Sequence, residues 1–365
     1  MNEESPTYGN ASAFNRRTFL IASTACAVGA AGYSLTSARE LNQHYVPVVP
    51  RLPFDESLRV AFCTRRIGSV DIFYREVGPR NGPTILLLHG FPSASHMFRN
   101  LFPLLATRYH LIAPDLPGFG NSRPLSADDY TYSYENIVNT MADFISALKL
   151  DKLSIYGFDY GCSIAFKLAM MYPDKVNTLI GQNGNLYKEG LGASLSPWQA
   201  YWESPTAHNR EVCATSLLPE NIRKQHYGAD TESGQLPPDG YNLDNYYLSL
   251  PRARDIQLDL IRDYKNLLTD YPTVQKYLSD KRPPLLIIWG RHDTFFSLFG
   301  VEAYVRNMPH SEVRLLDTGR FVLETHARET AGFIRDFMDR SLVADATYTS
   351  PIRVKNDLFF DARKE

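Results

Sequence analysis

Short apolar runs bounded by glycine, proline or aspartate recur along this chain, at Thr84 to Leu88, Leu111 to Ala113, Leu153 to Tyr156, Thr178 to Ile180, Leu285 to Trp289 and Val313 to Leu316. Runs that are apolar throughout, rather than at alternate positions, suit strands buried on both faces of a parallel sheet. Helical patterns separate them. Ile137, Val138, Met141, Phe144, Ile145 and Leu148 repeat at helical spacing, and a second pattern from Ile164 to Met171 stops before Pro173. Strands alternating with helices predict an α/β fold built on a mostly parallel, doubly wound sheet. Val70-Asp71-Ile72-Phe73-Tyr74 alternates instead, which predicts an antiparallel edge strand with one half-buried face.

From about 185 to 280 the rhythm changes to loop-broken helices rich in aromatics, including Trp198, Tyr201, Trp202, Tyr227, Tyr241, Tyr246 and Tyr247, with turn residues from Gln235 to Gly240. This segment reads as a helical lid inserted between two strands. The expected organisation is a core in two parts, 39–184 and 281–343, around a lid at 185–280, with a polar tail at 344–365. The first 38 residues read differently. Asn15-Arg16-Arg17-Thr18-Phe19-Leu20 opens an uncharged, Ala- and Gly-rich stretch ending near Thr36-Ser37-Ala38, which looks like a twin-arginine export signal. That predicts an exported, periplasmic protein; an uncleaved anchor or a chance Arg-Arg pair are the other readings.

A formal charge of −2 and the lack of long Lys/Arg runs argue against nucleic acid, and favour a small, apolar ligand. No membrane partner is expected for the mature chain. The four cysteines lack CxxC spacing, so no metal is expected; Cys63 and Cys213 stand as one candidate disulfide. No cofactor is expected either. GxGxxG is missing from the first strand-helix turn, and Gly118-Phe119-Gly120 follows a later strand.

The chemistry concentrates at Gly157-Phe158-Asp159-Tyr160-Gly161, between an apolar strand and a helix beginning near Cys162. A turn of this kind lifts its central side chain clear of the sheet's carboxyl edge, and the helix aims N–H groups at developing negative charge. An aspartate there can attack saturated carbon in an alkyl halide or epoxide, forming an ester that water then cleaves. A structural Asp in a tight turn is the bland alternative. His89-Gly90-Phe91-Pro92 follows the first long apolar strand, and the N–H groups of Phe91 and Tyr160 can together form an oxyanion hole. His89 itself suits a structural, hydrogen-bonded role. Asp293, in Ile288-Trp289-Gly290-Arg291-His292-Asp293, is the candidate acid or, blandly, a helix cap.

Taken together, His89-Gly90-Phe91-Pro92 with Ser95 to Asn100, Ala113-Pro114-Asp115-Leu116-Pro117-Gly118-Phe119-Gly120, the Asp159 elbow, Gln182-Asn183-Gly184-Asn185 and Trp289 to Asp293 resemble the epoxide hydrolase and haloalkane dehalogenase branch of the α/β-hydrolases, over about Arg66 to Met338. The resemblance implies that Asp159 is the nucleophile, Asp293 the acid, and that a water-activating histidine follows the last strand. This chain departs there, with Arg320 in Asp317-Thr318-Gly319-Arg320-Phe321. A guanidinium stays protonated and cannot act as that base. It would pair with Asp159 or Asp293, depress their pKa and keep the nucleophile ionised. Among other histidines, His326 has the phase of Thr330, Phe333 and Phe337 on the inward face of the final helix, His292 adjoins the acid, and His96 is nearer the pocket by topology.

The resemblance also separates substrates. Haloalkane dehalogenases place Trp after the nucleophile and Asn after His-Gly; this chain has Tyr160 and Phe91, whose side chains donate no N–H. The Phe-Pro after His-Gly is closer to epoxide hydrolases, which protonate the opening oxygen with lid tyrosines. Tyr201, Tyr241, Tyr246 and Tyr247 are the candidates, or else packing. Two functions therefore stand side by side: a cofactor-free, epoxide hydrolase-like enzyme of impaired turnover, and a catalytically silent binder of an apolar molecule. A haloalkane dehalogenase-like enzyme is a further alternative.

Overall fold

The computed structural model describes residues 55–126, 129–227 and 236–344. Residues 1–54 and the tail beyond Ala344 lie outside the described residues, and with them the expected export signal and polar tail. Nine strands make one sheet: β1 (Ala61–Ile67), β2 (Val70–Val77), β3 (Thr84–Leu88), β4 (His110–Pro114), β5 (Arg123–Pro124), β6 (Leu153–Phe158), β7 (Val176–Gln182), β8 (Leu285–Gly290) and β9 (Glu312–Leu316). Their order is β1-β2-β4-β3-β6-β7-β8-β9, with β5 against β2. β2 runs antiparallel to β1, β4 and β5, and the pairs from β4 through β9 are parallel.

The unbroken apolar runs follow from burial on both faces. Leu86 and Leu88 enter one core while Ile85 and Leu87 enter the other, and Leu285, Ile287 and Trp289 alternate with Leu286 and Ile288 in the same way. β2, near the sheet's edge, alternates buried with half-buried residues along most of its length. Helix α1 (Tyr134–Ala147) turns Ile137, Val138, Met141, Phe144 and Ile145 inward, and its Ser133 cap accepts from the Asn136 N–H. Helix α2 (Tyr160–Met171) is buried along nearly its whole length behind β6.

Between β7 and β8 the described residues form five further α-helices: α3 (Ser196–Glu203), α4 (Ala207–Ala214), α5 (Pro219–Tyr227), α6 (Asp239–Ser249) and the long α7 (Ala253–Lys281). α7 buries Leu260, Ile261, Tyr264, Leu267, Leu268 and Tyr271, a stripe at helical spacing. The insertion is tied down by buried polar groups as well as apolar ones. Asp244 on α6, fully buried, lies 3.0 Å from Nε2 of His96 in the core and 2.7 Å from Nε2 of His226 on α5. These two imidazoles hold its carboxyl far below the usual carboxylate range despite burial. Cys63, on β1, and Cys213, in α4, carry free thiols, so the candidate disulfide is absent.

Helix α8 (Leu298–Asn307) follows β8, a single helical turn spans Val322–Thr325, and α9 (Ala327–Ala344) closes the described chain. The β8 and β9 ends approach so closely that a Cβ on Gly290 would lie 1.9 Å from the Gly319 carbonyl oxygen. Gly290→Ala should therefore cost about 3 kcal/mol through backbone displacement, read as a lowered midpoint in thermal or denaturant unfolding; an unchanged midpoint would show that the two strand ends can separate freely.

Candidate active site

The parallel strands all deliver their carboxyl ends to one edge, where open α/β sheets place their ligands. Asp159 follows β6 directly. It adopts φ 53° and ψ −116°, a left-handed backbone that is strained for a side-chain-bearing residue and marks a constrained turn. The turn is possible because its neighbours are glycines. A Cβ on Gly161 would sit 2.2 Å from the Leu88 carbonyl oxygen, and one on Gly90 would sit 2.5 Å from the Asp159 side chain. The tight approach brings the Phe91 N–H to 2.8 Å from Asp159 Oδ1 and the Tyr160 N–H to 2.6 Å from the same oxygen.

The other oxygen, Oδ2, takes a hydrogen bond and ion pair from Nη2 of Arg320, which follows β9. Arg320 is 1% exposed, and its guanidinium lies 4.7 to 5.8 Å from the ring centres of Phe158, Phe295, Phe296 and Phe321. Such placement is favourable for a desolvated guanidinium. Its Nε and Nη1 have no hydrogen-bond partner among the described residues. The expected pairing is present, but the expected depression of pKa is not. Burial raises the Asp159 carboxyl above its ordinary range, outweighing Arg320 first and the two backbone N–H groups after it.

Asp293 sits in the loop after β8. Its Oδ1 accepts from the N–H groups of Phe295 and Phe296, at 2.8 and 3.2 Å, and its Oδ2 accepts from Asn183 Nδ2 at 2.9 Å. It makes no ion pair with Arg320; the guanidinium acts on it through space, and burial again carries its pKa upward. Asn183, at φ 42°, also exchanges hydrogen bonds with both backbone groups of Gly290.

The candidate histidines are engaged elsewhere in this arrangement. His89 Nε2 accepts the Leu116 N–H at 2.8 Å while Nδ1 meets the Gly90 carbonyl at 3.2 Å, and burial pushes its pKa down to about 4. His96 is committed to Asp244. His292 pairs with Asp317 at 2.7 Å on the outer side of the loop. His326 is half-buried and bonds Thr325 Oγ1; it caps the turn before α9 instead of lying on that helix's inward face, because the chain breaks between the two elements. His226, which sequence reasoning passed over, stacks flat on Phe321 with ring centres 3.6 Å apart.

The lid tyrosines scatter. Tyr246 is 57% exposed, Tyr247 bonds Asn121 and lies near His96, Tyr241 packs beside His226 and Tyr227, and Tyr201 is buried in the core of the insertion. The phenols around Asp159 are others: Tyr160 itself, Tyr134 with its ring 5.0 Å from that of Tyr160, and Tyr264 at 5.9 Å. Burial holds all three well above the usual phenol range, with the Asp159 charge adding to it, so they stay protonated. The wall continues through Trp198, 5.0 Å from Phe91 and 5.6 Å from Phe295. Tyr264 had a signal in the helical stripe of α7; Tyr134 had none, since it stands at the first turn of α1 beside a strand end distant in sequence.

Residues 83–327 match the model of the alpha/beta hydrolase fold family. The chain is 40% identical over 263 residues to the uncharacterized hydrolase YNR064C of Saccharomyces cerevisiae, covering 70% of this chain and 89% of that one. It is 23% identical over 303 residues to epoxide hydrolase 3 of Mus musculus, covering 77% of each. Among solved structures, haloalkane dehalogenase DbeA from Bradyrhizobium elkani USDA94 superposes with a TM-score of 0.66 at 22% identity, over 77% of this chain and all of that one. With the sheet order, the elbow and these likenesses in agreement, the chain belongs to the α/β-hydrolase family.

Proposed function

We propose that this chain acts on a small, largely apolar electrophile of the epoxide or alkyl halide class, with Asp159 as nucleophile. The observation that carries the reading is the pair of N–H groups, Phe91 and Tyr160, converging on Asp159 Oδ1 while Oδ2 is held by Arg320 beside phenylalanine rings. Oδ2 attacks the saturated carbon as its bond to halide or epoxide oxygen breaks, giving an alkyl ester. Water then adds to the ester carbonyl, and the negative charge developing on Oδ1 stays in the hole. The buried phenols of Tyr134, Tyr160 and Tyr264 are protonated and can donate to an opening epoxide oxygen. The similarity to epoxide hydrolase 3 and to a haloalkane dehalogenase fold supports this substrate class.

Arg320 limits the second half of the cycle. It offers no lone pair to take the proton of the attacking water, and loss of a general base commonly costs about two to four decades of rate. Formation of the ester is thus expected to outrun its hydrolysis. A second reading, a silent binder of an apolar molecule, is favoured by one observation: Arg320 already occupies Oδ2, the attacking oxygen. We further propose that the segment from Asn15 to Leu20 directs export to a periplasm.

Incubation with an epoxide and with an alkyl halide, followed by intact-mass measurement, should give an adduct that Asp159→Asn abolishes. Arg320→His should raise diol or alcohol release at least about tenfold. Absence of any adduct at any electrophile concentration would leave the binder. Because the ionised carboxylate attacks and burial raises its pKa, adduct formation should fall with acid along a limb above the ordinary carboxylate range.

Arg320→Met removes the largest influence holding the Asp159 pKa down. The folded-state pKa then rises further above the unfolded value, so stability is retained below the unfolded pKa and lost as pH climbs through the folded one. The deficit against wild type should be small near about pH 4 and reach about 3 kcal/mol near neutrality, as thermal unfolding at the two pH values would reveal.

A further inference from the structure

Gln182 closes β7 between the strands that carry Asp159 and Asp293, and it is wholly buried. Its backbone carbonyl accepts the Asp159 N–H at 3.3 Å. Its side-chain Nε2 donates to the Arg320 carbonyl at 2.9 Å, and its Oε1 accepts the Tyr156 hydroxyl. One residue therefore grips the backbone on both sides of the Asp159 to Arg320 ion pair. The sequence reading singled out Gln182-Asn183 as a motif, and Asn183 is accounted for by its bonds to Asp293 and Gly290.

We infer that Gln182 is a positioning residue: by fixing the Arg320 carbonyl against the β6 end, it sets where the guanidinium stands relative to the Asp159 carboxylate. The inference rests on reading Asp159 as the nucleophile. An amide is the group that suits both demands. The phenol of Tyr156 needs an acceptor and the Arg320 carbonyl needs a donor, and both residues are buried, where an unmade hydrogen bond is costly. Beyond the ion pair, the guanidinium is bordered by phenylalanine rings, and its Nε and Nη1 have no hydrogen-bond partner among the described residues. The groups bearing on Asp159 are Arg320, the Phe91 and Tyr160 N–H groups, the phenols of Tyr134, Tyr160, Tyr264 and Tyr271, and the Cys162 thiol; Arg320 leads those that favour its charge.

The test uses the full chain labelled with carbon-13 at aspartate side-chain carboxyls, the Asp159 signal being assigned by its loss in Asp159→Asn. In Gln182→Met the titration midpoint of Asp159 should move upward by about half to one pH unit, since the guanidinium is no longer held against it. Tyr156→Phe, which unseats the Gln182 amide without touching β7, should move it the same way by less, and it decides the matter if Gln182→Met does not fold. The acid limb of adduct formation should move with the midpoint. Midpoints that coincide with wild type, whatever the loss of thermal stability, would reduce Gln182 to a packing role and overturn the inference. A wild type that titrates normally yet forms no adduct would overturn the assigned reaction alone.

Discussion

A carboxylate and a guanidinium are buried together at the sheet's carboxyl edge, and neither can be removed alone without stranding the other. Much of the surrounding structure serves that pair. Two backbone N–H groups, supplied by the loops after β3 and β6, satisfy one Asp159 oxygen, and Arg320 satisfies the second. Four phenylalanine rings surround the guanidinium, and the buried phenols enclose the carboxylate. Burial still wins over these stabilisers and lifts the carboxyl's pKa. Burial thus opposes the ionised form of Asp159 more strongly than the charge beside it favours that form.

Much of this was legible in the sequence, for definite reasons. Strands buried on both faces cannot afford polar residues, so β3, β6 and β8 announce themselves as apolar runs, while β2 betrays its half-exposed position by alternating. The elbow is legible because a turn this tight requires glycine at Gly157 and Gly161. Arg320 was legible as a cation just after the last strand, and its pairing with Asp159 was among the two expected.

What stayed hidden depends on orientation and on long-range pairing. Tyr246 and Tyr247 are as aromatic as Tyr264, and only the turn of α6 decides that the first faces outward. The buried Asp244 with His96 and His226 joins residues from three separate elements, and no local spacing links them. His326 kept a helical phase on paper because the break between the turn at Val322–Thr325 and α9 leaves little trace in composition. The net direction of the Asp159 pKa was likewise out of reach, since sequence names the neighbouring charge but not the degree of burial that opposes it.

The close glycine contacts have a consequence for how such a molecule changes over time. At Gly90, Gly161 and Gly290 an added methyl group would strike atoms between 1.9 and 2.5 Å away, so the framework of the edge admits almost no variation. Position 320 is the opposite case: its side chain projects among phenylalanine rings, and a smaller side chain would meet no backbone obstacle there. The edge is thus closed to added bulk where it shapes the turn, while position 320 is bordered by side-chain rings. Substitution at that one residue can therefore exchange the fixed cation beside Asp159 without recasting the fold, at the energetic cost of leaving a buried carboxylate unpaired.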